Sequence, residues 1–162
     1  MAKQSVWTNS DGLPVGFGSR TTETTVGAQP RTGGMRQEVI LEINGTDLAD
    51  TDVARQLAYG VTIPADALLE SAKLFVTTAF AGVNPVMDIG TYAAATGSAV
   101  DDDGIDAAIA TATLVDNVVI ACDGALIGTV LASDQKIGVT YDTAAFTAGV
   151  ATLVVEYVLE SP

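Results

Sequence analysis

The residues of this chain that could do chemistry are a group of aspartates and a single cysteine. Hard carboxylate oxygens beside a glycine resemble part of a calcium-binding loop. An EF-hand loop ends in a glutamate at its twelfth position, and counting from Asp101 that position is Ala112. We therefore expect a solvated loop that caps a helix, with a calcium site as the alternative. The aspartates lie on either side of Gly104: Asp101, Asp102, Asp103 and Asp106.

Nucleophilic catalysis has little support in the sequence. Cys122 is the only cysteine and the chain has no histidine, so its thiol has neither a disulfide partner nor an imidazole base. We expect Cys122 to be a small buried hydrophobe. No two carboxylates have the spacing of a familiar acid–base pair. We predict no catalytic, metal-binding or cofactor-binding residues, and the alternative is an enzyme whose aspartates converge from distant loops.

The elements that would position any site are organised around residues 61–92. Alternate residues from Ala72 to Phe80 are mostly apolar, which predicts a strand with one buried face. Asn84 and Pro85 then supply turn chemistry before a second apolar run from Val86 to Tyr92. We expect the two runs to form an antiparallel pair with one buried face.

Length and composition indicate a folded domain. A chain of 162 residues with 48% hydrophobic and 17% charged residues can form a true core without a metal or disulfide. None of its apolar runs reaches the roughly 18 residues of a membrane span. The first residues lack the apolar segment of a secretory signal, so we expect synthesis in a cytoplasm.

Charge divides the chain into two parts. Residues 1–36 carry four cations and two anions, whereas residues 37–162 carry three cations and eighteen anions; together they give the formal net charge of −13. The acidic part should avoid nucleic acid, because phosphate contacts need Lys and Arg. The first part is rich in Gly, Thr and Pro without a regular period, which predicts an extended N-terminal arm over residues 1–36.

The arm keeps apolar anchors that simple linkers seldom have, so we expect it to become ordered on a partner. The alternative is a flexible terminus without a binding role. The residues expected to bind the partner are two aromatic anchors and three cations: Trp7, Phe17, Arg20, Arg31 and Arg36.

The rest of the chain is read as a β domain over residues 37–162. Residues 105–112 carry apolar side chains at helical spacing, which predicts one short helix capped by Asp102 or Asp103. Residues 118–121 and 126–131 should form a hairpin, and the last run, which is apolar on both faces, should be a central strand. The expected architecture is an all-β, jelly-roll-like antiparallel β-sandwich. Eight strands are predicted, starting at Gln37, Gln56, Leu69, Val86, Val118, Leu126, Gln135 and Gly149.

Several segments carry a family resemblance. They are KQSVWTNSDGLPVGF at the start, then IPADALLESAKLFVTTAF, MDIGTY, DDDGID and the closing FTAGVATLVVEYV. With these segments the chain resembles small head proteins of tailed bacteriophages, in particular the capsid decoration or cement proteins of marine phages. No site residue of that family can be transferred individually.

The resemblance implies a structural virion protein with a jelly-roll fold, often a homotrimer. Such a protein sits on the exterior of an icosahedral capsid, binds the major capsid protein and stabilises the shell by stapling neighbouring capsid subunits. It implies no enzyme activity, no cofactor and no binding to nucleic acid or membrane. The alternative is a carbohydrate-binding or host-adhesion β-sandwich module of a virion, because jelly rolls also serve as lectin domains.

Overall fold

A computed structural model describes the backbone of residues 5–8, 14–17, 28–33, 36–50 and 58–159, and the side chains of residues 36–48, 50 and 61–159. These residues form strands and two single-turn 3₁₀ helices, Gly45–Asp47 and Thr111–Thr113. None of the described helices is long and apolar enough to cross a membrane. The strands are β1 (Ser5–Thr8), β2 (Pro14–Phe17), β3 (Ala28–Gly33), β4 (Arg36–Asn44), β5 (Ala49–Asp50), β6 (Ala58–Ile63), β7 (Ala67–Gly82), β8 (Val86–Ala93), β9 (Ala99–Ala110), β10 (Val119–Ala121), β11 (Gln135–Asp142) and β12 (Phe146–Leu159).

The strands form two five-stranded sheets that enclose one apolar core. The first sheet has the order β10-β7-β12-β4-β3, and the second has the order β5-β11-β8-β9 with β6 also paired to β11. Strands β1 and β2 form a separate two-stranded ribbon. The prediction of an all-β antiparallel sandwich is confirmed.

The pairing of eight strands is nested. Strand β4 pairs with β12, β6 with β11, β7 with β10 and β8 with β9, all antiparallel. The first of these eight strands therefore meets the last, the second meets the seventh, and so on inward. Successive strands also alternate between the two sheets, except for β8 and β9. This arrangement is compatible with the predicted jelly roll, which consists of two Greek keys folded over one core.

The predicted alternation in β4, β7 and β12 accounts for the core of the first sheet. Leu41, Leu74 and Leu153 lie opposite one another on adjacent strands and are fully buried. Burying each leucine side chain contributes about 1.5–3 kcal/mol of hydrophobic free energy. The last run is confirmed as the central strand of its sheet, since β12 lies between β7 and β4.

The prediction that β7 and β8 pair with each other is wrong. They belong to different sheets, and the residues between them carry the chain across the sandwich. Asn84 adopts a positive φ of 57°, and the buried Pro85 lies so close to Gly82 that a Cβ there would be 2.6 Å from the proline ring. Alternation gave the buried face of each strand correctly, but it carries no information about which strand lies beside it.

The predicted helix over residues 105–112 is also wrong, because these residues continue strand β9 into the 3₁₀ turn Thr111–Thr113. Ile105 and Ile109 are buried, as expected, but the strand carries a bulge between them. Ala108 in this bulge has a positive φ of 52°. A spacing of four residues fits one face of a helix, but it also fits one face of a strand, whose side-chain period is two, so the burial of these two isoleucines does not distinguish the two structures.

The predicted hairpin between residues 118–121 and 126–131 does not form. Strand β10 pairs with β7, and Val130 makes an isolated antiparallel bridge with Leu68 in the same strand. The two apolar runs therefore follow one another along one edge of β7. Between them, the amide of Leu126 donates to the carbonyl of Gly104 in β9 at 2.7 Å and so ties this edge to the opposite sheet.

Candidate functional site

The five residues predicted to bind a partner fall in three places. Trp7 lies opposite Val15 in the β1–β2 ribbon, and Phe17 lies opposite Ser5. Residues directly opposite in an antiparallel pair share a face, so the register puts both aromatic positions on one face of the ribbon. Arg20 lies outside the described residues.

The other two cations belong to the adjacent strands β3 and β4 of the first sheet. Arg31 is in β3 opposite Glu38, and Arg36 begins β4 opposite Val158. The guanidinium of Arg36 forms an ion pair with Glu70, in which the side chains are 56% and 35% exposed. An ion pair this exposed contributes about 0–1 kcal/mol, so Arg36 is available for a stronger contact. The partner-binding role of all five residues stays a prediction.

Strand β3 bears on the proposed extent of the arm. It pairs with β4 from Ala28 to Gly33 and forms an edge of the first sheet. The β structure of the first sheet therefore begins at Ala28, within the segment that was predicted to be an extended arm. The division of the chain at residue 36 stays a prediction, but an experiment that removes residues 1–36 would also uncover the edge of β4.

The aspartate group lies along β9 and the neighbouring part of β8. Burial raises the pKa of Asp88, although its carboxylate accepts a hydrogen bond from the Ala108 amide at 2.7 Å, and the nearby charges of Asp103, Asp142 and Asp102 raise it further. Burial also raises the pKa of Asp101, and a hydrogen bond with Asp103 adds to the effect. The Asp88 carboxylate thus fixes the bulge of β9.

The same residues test the alternative of a calcium site. A calcium ion needs six to eight oxygen ligands around one point. Among the residues with described side chains, no group of three or more His, Cys, Asp or Glu could hold a metal ion. In place of the helix cap that was expected, residues 101–106 belong to the extended strand β9. The carboxyl groups of Asp101 and Asp103 are hydrogen-bonded to each other, and that of Asp106 is hydrogen-bonded to Cys122.

Cys122 lies just beyond β10 and is buried, as predicted. Burial and the neighbouring carboxylates of Asp106 and Asp123 raise the pKa of its thiol to about 12. Burial also raises the pKa of Asp106, which is hydrogen-bonded to Cys122. A thiol in this setting is protonated at neutral pH and is a poor nucleophile.

A shallow groove of about 500 Å³ lies on the outer face of the first sheet, beside the 3₁₀ turn at Gly45–Asp47. Asn44 caps this turn through its side-chain oxygen, which accepts from the Thr46 amide at 3.3 Å. No pattern in the sequence indicated the groove, because only the strand register brings its residues together. Its lining contains no aromatic ring: Glu42, Ile43, Asn44, Asp47, Thr77, Val150 and Thr152.

The arrangement of these groups favours binding over chemistry. The described residues offer strand edges, an acidic surface and a polar groove, while the only thiol is protonated and buried.

Comparison with known proteins identifies a similar fold but no family. No family model matches the sequence, and no curated protein matches it. Among solved structures, a chain of the structure titled "Capsid of Ralstonia phage GP4" has 17% identity and a TM-score of 0.44, covering 77% of this chain and 86% of that chain. A chain of the "Cyanophage Pam1 capsid asymmetric unit" has 13% identity and a TM-score of 0.51, covering 87% of this chain and 99% of that chain. The protein therefore shares its β-sandwich fold with a chain of the cyanophage Pam1 capsid structure.

Proposed function

We propose that this protein is a non-enzymatic structural component of a bacteriophage virion that binds the outer surface of an icosahedral capsid and staples neighbouring capsid subunits. The observation that carries the proposal is the similarity in fold to a chain of the cyanophage Pam1 capsid structure, which is matched over 99% of its length. The family resemblance of the sequence segments supports the same role. The proposed partner is the major capsid protein.

The distribution of charge supports a position outside the shell. The sequence carries a formal net charge of −13, with only three cations among residues 37–162. Such a surface repels the phosphate backbone of a packaged genome. The basic first segment instead suits a carboxylate-bearing protein surface, with electrostatic attraction that salt weakens.

Trp7 and Phe17 are the proposed anchors on the capsid. Their positions share one face of the β1–β2 ribbon, so a single partner surface contacts both positions. Each aromatic side chain buried in such a contact contributes on the order of 1–3 kcal/mol. The ribbon binds while the sandwich provides shape, and the assembled form is proposed to be a homotrimer.

The test distinguishes the contribution of the β1–β2 ribbon to capsid binding from that of the edge strand β3. A variant that lacks residues 2–27 keeps β3 and so leaves the edge of β4 covered, whereas a variant that lacks residues 1–36 does not. We expect the shorter deletion to stay folded but to lose co-sedimentation with capsid particles that have been stripped of this protein. Full-length protein with Trp7→Ala and Phe17→Ala should lose most of its particle binding as well.

Cryo-electron microscopy of particles from the phage that encodes this sequence gives the direct answer. Density that fits the sandwich on the outer surface of the shell would support the proposal, and its absence from the particle would overturn it. A glycan array on the purified protein tests the adhesion alternative. The groove on the first sheet lacks an aromatic platform for sugars, which favours the capsid role.

A further inference from the structure

The groove beside the 3₁₀ turn Gly45–Asp47 is shaped by a bulge in β7. Thr77 is the extra residue of this bulge, because it lies between the residues that pair with Val150 and Ala151. The Thr77 hydroxyl donates to the Val150 carbonyl at 3.1 Å, which holds the bulge against β12. Since the contact is made within the chain, the groove is already formed before any partner binds.

The 3₁₀ turn packs closely against β12 and contributes Asp47 to the lining of the groove. A Cβ at Gly45 would lie 2.8 Å from the carbonyl oxygen of Ala148 and 3.1 Å from the ring of Phe80. Only glycine allows the backbone to approach its neighbours this closely. The turn therefore holds the Asp47 carboxylate at a fixed place beside the sheet.

The groove is acidic. Its lining contains two carboxylates, those of Glu42 and Asp47, and no cation. Among the described side chains, the only ion pair joins Arg36 to Glu70. Arg36 begins β4 whereas Glu42 lies near its end, roughly 20 Å away along the strand. The two carboxylates of the groove therefore favour a positively charged ligand.

An apolar surface continues from the groove across the outer face of the first sheet. Thr152, in the groove, lies between Glu42 of β4 and Phe75 of β7. Phe75 in turn lies opposite Val119 of β10. Residues directly opposite one another share a face, so these four side chains form one row. Phe75 is 37% exposed and Val119 is 55% exposed, and the row is therefore acidic at one end and apolar at the other.

Lys73 sets the direction in which a ligand can lie along this row. Lys73 is exposed and precedes Phe75 by two residues in β7, so both side chains are on the outer face. A positively charged group is therefore repelled from the Phe75 end of the row and attracted to the Glu42 end. A ligand that fits the row carries its cation over the groove and an apolar group over Phe75.

We propose that the groove and the row beside it dock a segment of a protein partner in which an arginine or lysine is about two to four residues from a large apolar side chain. Glu42 and Phe75 are two strand spacings apart, about 10 Å, which an extended segment spans with about three residues. The carboxylates of Glu42 and Asp47 select the cation, and the exposed Phe75 and Val119 gain from being buried. Nucleic acid does not fit, because its phosphates are repelled by the same carboxylates.

This inference rests on the proposed function for the identity of the partner, and it adds a contact on the sandwich to the contact of the β1–β2 ribbon. Its test uses the free protein and needs no capsid, so the two proposals fail separately. Peptide binding at the groove without any binding to capsid particles would count against the proposed function alone. Capsid binding that is unchanged in groove variants, together with no peptide binding, would count against the groove alone.

The probe is a synthetic peptide with three copies of Arg-Ser-Leu, and a peptide with three copies of Arg-Ser-Gly has the same charge without the apolar groups. Isothermal titration calorimetry measures the dissociation constant, and circular dichroism checks the fold of each variant. We expect Glu42→Gln and Asp47→Asn each to raise the dissociation constant of the leucine peptide about fivefold. Asp66→Asn is the matched control, because Asp66 is also exposed but lies before the far end of β7, and it should leave the dissociation constant within about twofold.

A further variant fills the groove from inside the protein. Thr152→Arg places a guanidinium opposite Glu42, so it should raise the dissociation constant of the leucine peptide at least about tenfold. Equal effects of Asp47→Asn and Asp66→Asn, or equal affinity for the two peptides, would overturn the proposal, since the attraction would then be to the net charge alone. Binding that is seen only after residues 2–27 are removed would also overturn it, because the N-terminal segment of the chain would then be the occupant.

Discussion

Replacing Gly149 by alanine should destabilise the protein strongly, although it adds only one methyl group. Gly149 lies at the irregular start of β12 and has a φ of 131°, a conformation that residues with a Cβ rarely adopt. A Cβ at this position would lie 2.3 Å from Cγ of Phe80. The ring would have to move, but it is buried and packs edge-on against Phe146 with ring centroids 5.2 Å apart.

Two costs combine at this position. The strained backbone costs about 1–3 kcal/mol, and forcing the aromatic ring out of a packed site costs a further 1–3 kcal/mol, so the expected loss is about 2–6 kcal/mol. Gly128 provides the matched control, because it also has a positive φ, 82°, but an added Cβ would meet no atom within 4 Å. Gly128→Ala should therefore cost only the backbone contribution, about 1–2 kcal/mol.

Urea unfolding followed by far-ultraviolet circular dichroism measures both variants. The only tryptophan, Trp7, is in the β1–β2 ribbon, so its fluorescence would not report on the sandwich. Equal losses for Gly149→Ala and Gly128→Ala would refute the steric argument. Phe80→Leu in the Gly149→Ala background should recover part of the loss, because the coupled positions are in contact.

Four further predictions follow from the described side chains. Because the pKa of the Cys122 thiol is about 12, only roughly one thiol in 10⁴ is ionised at pH 8; a disulfide reagent should label it only after unfolding, and rapid labelling of the folded protein would contradict this. The raised pKa values of Asp88, Asp101 and Asp106 mean that the folded state holds protons more tightly than the unfolded state, so stability should fall as pH rises above the ordinary aspartate value of 3.8. Urea unfolding between pH 4.5 and 7 checks the sign, and a rise in stability toward pH 7 would show that it is wrong. Ala108→Gly should stabilise by about 1 kcal/mol because Ala108 has a positive φ, whereas Ala107→Gly beside it should destabilise by about 0.5–1 kcal/mol. Adding EDTA should leave the melting temperature unchanged, since no group of carboxylates with described side chains could hold a metal ion; a lower melting temperature that calcium restores would support a calcium site.

The sequence predicted where the individual strands lie in the chain better than it predicted which strands pair with each other. The alternation that marks Leu74 in β7 and Leu153 in β12 reflects which face is buried, and burial depends on residues that are two apart in the same strand. Pairing depends on the whole chain. Nothing between Gly82 and Val86 distinguishes a hairpin from a crossing between sheets, because turn residues serve both connections.

The bulge in β9 shows that local residue spacing also fails to determine the secondary structure of a single segment. Ile105 and Ile109 have helical spacing in the sequence, and their burial was predicted correctly while their secondary structure was not. The deciding contact is the hydrogen bond from the Ala108 amide to Asp88, which comes from a strand 20 residues away. Local spacing cannot contain that information.

The sequence by itself determined the class of fold and the electrostatic character of the molecule. Short alternating runs and frequent turns require sheets, and a formal charge of −13 with a basic first segment is a sum over residues that needs no coordinates. Only the tertiary structure decided that residues from distant strands meet in the groove on the first sheet and in the row beside it. The physical reason is the antiparallel register, which places Thr152 of β12 between Glu42 of β4 and Phe75 of β7 through long-range backbone contacts that no local pattern records.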